Sequence, residues 1–260
     1  MSRNFELLQE AGRAQAMLRA QVDERREVPP APLLPGTPAL ELEGMAREEV
    51  LKLVQRLFLV SNAQRSRQIV FAGTEQGNGC SWVCAYAAEV LASQVASLVC
   101  VVDCDLHVPT LHTEFQVENH SGLADALRGG ESILQYVRQL SRPNLWLLSC
   151  GSLNGDSTHP LSLERMHQRM SELRAEFDYV LLDVAPLNSS NHGRILGSWC
   201  DGVALVLKAN SSNRKVARKA LEELQAAKVP VLGAVLNQRT FPIPDSIYRR
   251  LWTRDGPRGR

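Results

Sequence analysis

The sequence predicts an α/β protein in which a mostly parallel sheet is covered by helices on both faces. Short apolar runs alternate with helical segments along the chain. The runs are almost continuously apolar, as is typical of strands that are buried on both faces. They begin roughly 20–45 residues apart, which leaves room for a crossover helix between parallel strands. The six runs are Ile69–Gly73, Leu98–Val102, Leu145–Ser149, Tyr179–Asp183, Val203–Leu207 and Val231–Asn237.

Length and composition favour one large domain of an ordinary soluble protein. The chain has 260 residues, of which 44% are hydrophobic and 22% charged. Its formal net charge of +1 gives no overall reason to bind nucleic acid, and none is expected. No apolar run approaches the ~20 residues needed to span a bilayer, and the first ten residues are too polar for a secretory signal. The six scattered cysteines are typical of reduced thiols, so we expect a cytoplasmic protein.

The composition divides the chain into four segments. Residues 1–27 carry an amphipathic helical pattern, and 28–38 contain five prolines that predict an extended linker. Residues 39–252 form the predicted domain, and 253–260 a basic tail. The domain opens with a helical apolar stripe formed by Leu42, Met45, Val50, Leu53, Val54, Leu57 and Phe58.

A glycine-rich loop follows the first apolar run. It reads Gly73-Thr-Glu-Gln-Gly-Asn-Gly-Cys-Ser81 and leads into an alanine-rich helical segment, Trp82–Ala92. Strand, glycine loop and helix in this order are the context of a phosphate-binding loop, whose N–H groups and helix dipole attract phosphate. A simple glycine turn is the alternative. The residues predicted to contact a nucleotide are Gly77, Asn78, Gly79, Cys80, Ser81 and Trp82, with the Ser81 hydroxyl also placed to bind Mg²⁺.

Cys80 stands where such a loop normally has lysine. A charge about 4 Å from a phosphate oxygen, at an effective dielectric constant near 20, contributes about 4 kcal/mol. If this energy is realised in the transition state, its loss slows the reaction about a thousandfold. Nucleotide binding can persist on backbone amides and metal, but phosphoryl transfer should be badly impaired.

Carboxylates mark the ends of two of the runs, with Asp103 and Asp105 just after the second and Asp183 as the last residue of the fourth. Ligands of parallel sheets bind at the carboxyl ends of the strands. Acids placed there beside a phosphate loop can hold Mg²⁺ and orient a nucleophile. A pair of helix caps is the alternative interpretation of Asp103 and Asp105.

These motifs, in their order and spacing, resemble the cytoplasmic kinase domain of bacterial tyrosine autokinases of capsular and exopolysaccharide biosynthesis. Those kinases are P-loop proteins related to the ParA/MinD ATPases. The similarity runs from about Glu41 to Tyr248. The matching segments are Ile69–Ser81, Val101–His112, Gly122–Gly129, Phe177–Pro186, Asp201–Val206 and Val231–Asn237.

The resemblance implies ATP and Mg²⁺ as cofactors. It places Asp103 nearest the attacking hydroxyl, with Asp105 beside it as a second catalytic acid. Ser81, Asp103 and Asp183 would hold the metal, and Asn237 would lie near the adenine. It also implies a membrane polysaccharide co-polymerase, or chain-length regulator, as a partner that recruits the chain to the inner membrane. A homo-oligomer is a further expectation.

Several departures from the family pattern accompany Cys80. His107 replaces an arginine, and Val184-Ala185 replaces Thr-Pro. Tyr248 alone stands where active members have a tyrosine cluster. The oligomerisation helix keeps only a weakened motif, Glu49, Lys52 and Gln55. We therefore expect a tyrosine-kinase-like protein with impaired catalysis.

Three alternatives remain. One is an active autokinase in which another group replaces the lysine. Another is a ParA/MinD-like positioning ATPase, although Thr-Glu-Gln at 74–76 lacks the additional lysine of those proteins. The third concerns the loop region alone, where Cys80, Cys84 and Cys104 could form a redox or metal site.

Overall fold

A computed structural model describes residues 40, 42, 44–59, 67–152 and 162–238. The predicted N-terminal segment, the proline-rich linker, the basic tail and Tyr248 all lie outside these residues, as do the predicted domain boundaries.

The described strands are β1 Gln68–Gly73, β2 Val99–Asp103, β3 Arg138–Gln139, β4 Leu145–Leu148, β5 Tyr179–Val184, β6 Gly202–Lys208 and β7 Val231–Asn237. They form one sheet in the order β3-β4-β2-β5-β1-β6-β7. Neighbouring strands are parallel except for the edge strand β3, which runs antiparallel to β4. All six predicted runs are strands of this sheet.

One described helix precedes β1, and the other six lie in connections between strands. The first, α1 (Gly44–Val54), continues into one π-helical turn, Gln55–Leu59, and a 3₁₀ turn covers Ile133–Gln135. The described helices are α1 Gly44–Val54, α2 Cys80–Gln94, α3 Leu111–Glu114, α4 Leu123–Arg128, α5 Leu163–Glu176, α6 His192–Trp199 and α7 Arg214–Ala226.

Helices cover both faces of the sheet, as the continuous apolar runs predict. Every residue of β1, β2, β4 and β5 is buried. Phe71 belongs to the core cluster that includes α1 and α2. On the opposite face, Gln68 donates a hydrogen bond to Met170 of α5, and Gly193 of α6 packs against Ala72.

The helical stripe at the start of the domain is correct in part. Val50, Val54, Leu57 and Phe58 are buried, and Phe58 meets Tyr179 of β5 edge to face with ring centroids 5.8 Å apart. Leu42 and Leu53 pack against this core. Two members of the predicted stripe differ: Leu42 precedes the helix, which begins at Gly44, and Met45 lies in the first turn of α1 but is 48% exposed.

Candidate nucleotide site

The strand order brings the predicted motifs together at the carboxyl ends of the central strands. Strand β5 lies between β1 and β2, so Asp183 of β5 is the register partner of both Phe71 and Asp103. The glycine loop leaves β1 two residues after Phe71. Loop and carboxylates therefore meet at the carboxyl ends of three adjacent strands, where ligands of parallel sheets bind.

The glycine loop has the backbone of an anion site. Gly77 and Gly79 adopt left-handed conformations, with φ of 81° and 75°. Helix α2 begins at Cys80, immediately after Gly79, and no side chain caps its first N–H groups. The first helical bond runs from the Val83 N–H to the Gly79 carbonyl at 3.0 Å. The N–H groups at the start of α2 thus present the positive end of the helix dipole.

Two asparagine side chains fix the shape of this loop. Buried Asn78 donates to Thr74 Oγ1 and to the Val206 carbonyl of β6, both at 3.0 Å. Asn237, at the end of β7, donates to the carbonyls of Asn78 at 3.0 Å and Gly79 at 3.5 Å. Because the Asn78 side chain is engaged in these bonds, its backbone would make any contact with a nucleotide. Asn237 supports the loop directly, a role that the predicted position near adenine did not include.

Trp82 has its ring engaged in packing. The ring lies against Tyr86 with centroids 4.4 Å apart, and both residues pack on the core beneath α1 and α2. Its backbone lies in the first turn of α2. The group of Trp82 that can bind a phosphate is therefore its backbone N–H.

The thiol of Cys80 is uncharged at neutral pH. Burial raises its pKa well above the usual value, and the Asp183 carboxylate raises it further. Burial also raises the pKa of Cys84, again with Asp183 as the next cause. All six cysteines are free. Thiols that stay protonated are poor nucleophiles and poor metal ligands, so the redox and metal alternative finds no support in this geometry.

Asp183 is buried without a partner. It is 1% exposed, and neither carboxylate oxygen accepts a hydrogen bond of normal geometry from the described residues. Burial raises its pKa to about 8, and the neighbouring Asp103 adds to the rise. Ser81 and Cys80 lie close enough to oppose that rise. Unpaired carboxylate oxygens beside the Ser81 hydroxyl are the type of donor set that Mg²⁺ prefers.

Asp103 is buried but well supplied with hydrogen bonds. Its carboxylate accepts from the backbone N–H groups of Thr110 and Leu111, both at 3.0 Å, and of Asp105 at 3.2 Å. Burial nevertheless raises its pKa to about 7. Asp105 in turn accepts from the N–H groups of His107 and Val108 at 3.0 Å. The residue that caps the next helix, α3, is Thr110, and the N–H groups that Asp105 binds lie in the loop before it, so neither acid is a helix N-cap. Their hydrogen bonds hold this loop and leave other lone pairs for a ligand.

Within the described ranges, no three side chains from His, Cys, Asp and Glu are grouped to hold a metal ion. Nor does any described Lys or Arg form an ion pair with Asp103, Asp105 or Asp183. Any Mg²⁺ here would depend on Ser81, water and phosphate oxygens as well as the acids. The acidic side of the site has no cationic partner of its own among these residues.

One pair at the rim was missed by the sequence analysis. The ring of His107 stacks on that of His192, the first residue of α6, at 6.4 Å between centroids and 5° between planes. Burial lowers the pKa of His192, and His107 lowers it further. No sequence signal links the two residues, because the strand order alone brings the loop after β2 beside α6.

Two other predicted motifs have structural partners. Asp125, of the Gly122–Gly129 segment, accepts from the N–H groups of Gly122 at 3.0 Å and Ser152 at 3.3 Å, which ties α4 to the end of β4. In α1, the exposed Lys52 donates to Glu49 at 2.7 Å.

Comparison with known proteins agrees with this architecture. The family model described as "Cellulose biosynthesis protein BcsQ" matches residues 66–230. The chain belongs to this family. Tyrosine-protein kinase YwqD of Bacillus subtilis (strain 168) is 29% identical to this BcsQ-family chain over 197 residues, which cover 76% of the chain and 83% of YwqD. Tyrosine-protein kinase wzc of Salmonella typhi is 24% identical over 206 residues, 79% of the chain but only 27% of that longer protein.

Solved structures show the same fold. The kinase domain of Escherichia coli tyrosine kinase ETK superposes with a TM-score of 0.68 at 20% identity, covering 86% of this chain and 89% of that one. A ParA family ATPase from Chlorobium tepidum TLS gives 0.58 at 20% identity, covering 66% and 74%. The predicted fold class and the resemblance to tyrosine kinases are thereby confirmed. No described helix has the length and apolar character to cross a membrane.

Proposed function

We propose that this BcsQ-family chain binds ATP with Mg²⁺ and acts as a kinase-like subunit of polysaccharide biosynthesis with impaired phosphoryl transfer. Its partner would be a membrane polysaccharide co-polymerase or chain-length regulator, which responds to the nucleotide state of the chain. The family description and the kinase names of the relatives support the general class. The impairment and the partner are our inference.

The observation that carries the proposal is the uncharged Cys80 thiol beside the unpaired Asp183 carboxylate. At this position a lysine would stabilise the charge that develops on the transferred phosphoryl group. A neutral thiol cannot, and the loop backbone supplies only partial charges. Binding is thus retained better than catalysis.

The residues present fit a nucleotide and its metal. The left-handed Gly77 has open space where a Cβ would stand, with no heavy atom within 4 Å. The N–H groups at the start of α2 would bind phosphate oxygens, while Ser81 and Asp183 would hold the metal. Bound ATP supplies the phosphoryl group, and Mg²⁺ neutralises its oxygens. Asp103, held by three backbone N–H groups, would position a hydroxyl, and its raised pKa of about 7 would suit it to take up the hydroxyl proton.

The proposal is tested by calorimetric titration of the purified chain with ATP, with and without Mg²⁺. We expect weak, Mg²⁺-dependent binding, and no phosphotyrosine on the protein after incubation with ATP and Mg²⁺. Absence of binding at millimolar ATP would contradict the nucleotide-binding part and leave a scaffold. The partner is tested separately, by co-purification of the chain with the membrane co-polymerase from the same gene neighbourhood.

A working tyrosine autokinase is the second candidate, because the similar proteins YwqD and wzc are named tyrosine-protein kinases. Phosphate transferred to Tyr248 by the purified chain would favour it over the impaired form. Mass spectrometry of the same incubation decides between the two.

A further inference from the structure

Lys208 lies at the carboxyl end of β6, close to the foot of the phosphate loop. Strand β6 pairs directly with β1, and Val206 is the register partner of Gly73, where the loop begins. The Val206 carbonyl accepts the hydrogen bond from Asn78 that holds the loop against β6. Lys208 is two residues further along the same strand.

Strand alternation gives the face on which Lys208 stands. Ala204 and Val206 belong to the core cluster that includes α2, so Lys208 is on the α2 face of the sheet. Its register partner across β7 is Asn237, whose side chain reaches the carbonyls of Asn78 and Gly79. Lys208 is therefore the strand neighbour of a residue that already contacts the loop.

Among the residues that the structure describes, Lys208 has no acidic partner. Its side chain is half-buried, and it forms no ion pair with any residue that the structure describes. Its backbone N–H donates to Ser212 Oγ at 2.8 Å, which fixes the end of the strand and hence the starting point of the side chain. Lys208 carries its ammonium group on a flexible four-carbon stem with three rotatable donors.

We propose that Lys208 supplies, from β6, a cationic contact to the phosphates of the bound nucleotide that Cys80 cannot make from the loop. The inference rests on the proposed function, since it assumes that a nucleotide binds. It explains how the site can keep affinity after losing the loop lysine. Because Lys208 lies on a different strand from the loop, its contact can stabilise the bound phosphates without stabilising the phosphoryl group during transfer.

The test compares Lys208→Met and Lys208→Arg in calorimetric titrations with Mg²⁺ and ATP. Lys208→Met should weaken binding about tenfold to a hundredfold, the value of a hydrogen bond to a charged group. It should also make the affinity less dependent on salt, since one ionic contact is gone. Lys208→Arg should retain most of the affinity. Lys228→Met, at an exposed lysine that follows α7, is the matched control and should change neither quantity.

A second measurement uses the chain carrying Cys80→Lys. With a lysine restored in the loop, Lys208→Met should cost much less affinity than in the natural chain, because the two cations serve the same phosphates. Full additivity of the two changes would contradict the shared role. If the natural chain binds ATP and Lys208→Met binds equally well, the inference fails while the proposed function stands. If the natural chain does not bind ATP, both fail.

Discussion

Replacing Cys80 by lysine should strengthen ATP binding and reveal whether the rest of the site is competent. The thiol is uncharged because burial and Asp183 raise its pKa well above the usual value. The substitution therefore adds a full positive charge next to a carboxylate and next to the bound phosphates. It alters one charge and leaves the supports of the loop, Asn78 and Asn237, in place.

The size of the gain follows from two parts. A charge-assisted contact to a bound phosphate contributes about 1.5–3 kcal/mol, which is about a tenfold to a hundredfold gain in affinity. In the transition state the same charge can contribute about 4 kcal/mol at an effective dielectric constant near 20, about a thousandfold in rate. The rate should thus rise more than the affinity.

Titration calorimetry with Mg²⁺ and ATP gives the affinity, and phosphotyrosine formation with time gives the rate. Cys80→Met is the matched control, since it lengthens the side chain without adding charge. We expect Cys80→Lys to bind tighter and Cys80→Met to resemble the natural chain. Equal effects of lysine and methionine would refute the reasoning, because they would show that shape at position 80, and not charge, limits the site.

Three further predictions concern stability. Raising the pH from 4 to 8 should destabilise the protein through Asp183. Its pKa of about 8 in the folded state lies above the value of 3.8 expected in the unfolded state, so the folded state holds a proton that the unfolded state releases. Thermal melts of Asp183→Asn should show a flatter dependence of stability on pH, and an equally steep dependence would contradict this. Gly79→Ala should lower the free energy of unfolding by about 1–3 kcal/mol in denaturant titrations, since φ is 75° and the new Cβ would lie 2.3 Å from Asn237 Nδ2. Gly130→Ala is the control, because its Cβ would meet no heavy atom within 4 Å, and its free energy of unfolding should change by no more than about 0.5 kcal/mol. Arg169→Met should lower the free energy of unfolding by about 3–5 kcal/mol in the same measurement. The buried guanidinium of Arg169 donates hydrogen bonds to Glu172 and to the carbonyls of Ala126, Gly129 and Glu131. Arg218→Met, at an exposed ion pair, should change stability by about 0.5 kcal/mol at most, and similar losses in both variants would contradict the role of burial.

The sheet could be predicted from the sequence because its central strands are buried on both faces and must be apolar throughout. The pattern of apolar runs did not predict strand β3. Its two residues, Arg138 and Gln139, are polar and pair with Leu147 and Trp146 of β4. Hydrogen bonding through the backbone leaves no mark in composition, so short edge strands of this kind are invisible to a pattern of apolar runs.

The site could be predicted to the level of its motifs but not of its contacts. Strand ends and glycines place Asp103, Asp183 and the loop at one edge, because parallel strands share that edge. Asn237 contacts Asn78 across a separation of 159 residues, and Lys208 stands beside it only because β6 and β7 are register neighbours. Such contacts depend on strand order and register, which a single sequence does not specify.

The absence of a loop lysine and the raised pKa values of the two acids are linked. Asp103 and Asp183 are adjacent register partners, both almost fully buried, and burial raises the pKa of the first to about 7 and of the second to about 8. A lysine at position 80 would oppose both the burial and the mutual repulsion, and would allow both acids to ionise near neutral pH. With a neutral thiol there, the site avoids two uncompensated buried charges by keeping a proton. Under the proposed function, Cys80 would therefore weaken the site twice, because the phosphates would lack a cation and Asp183 would lack the counter-charge that keeps a carboxylate an effective metal ligand.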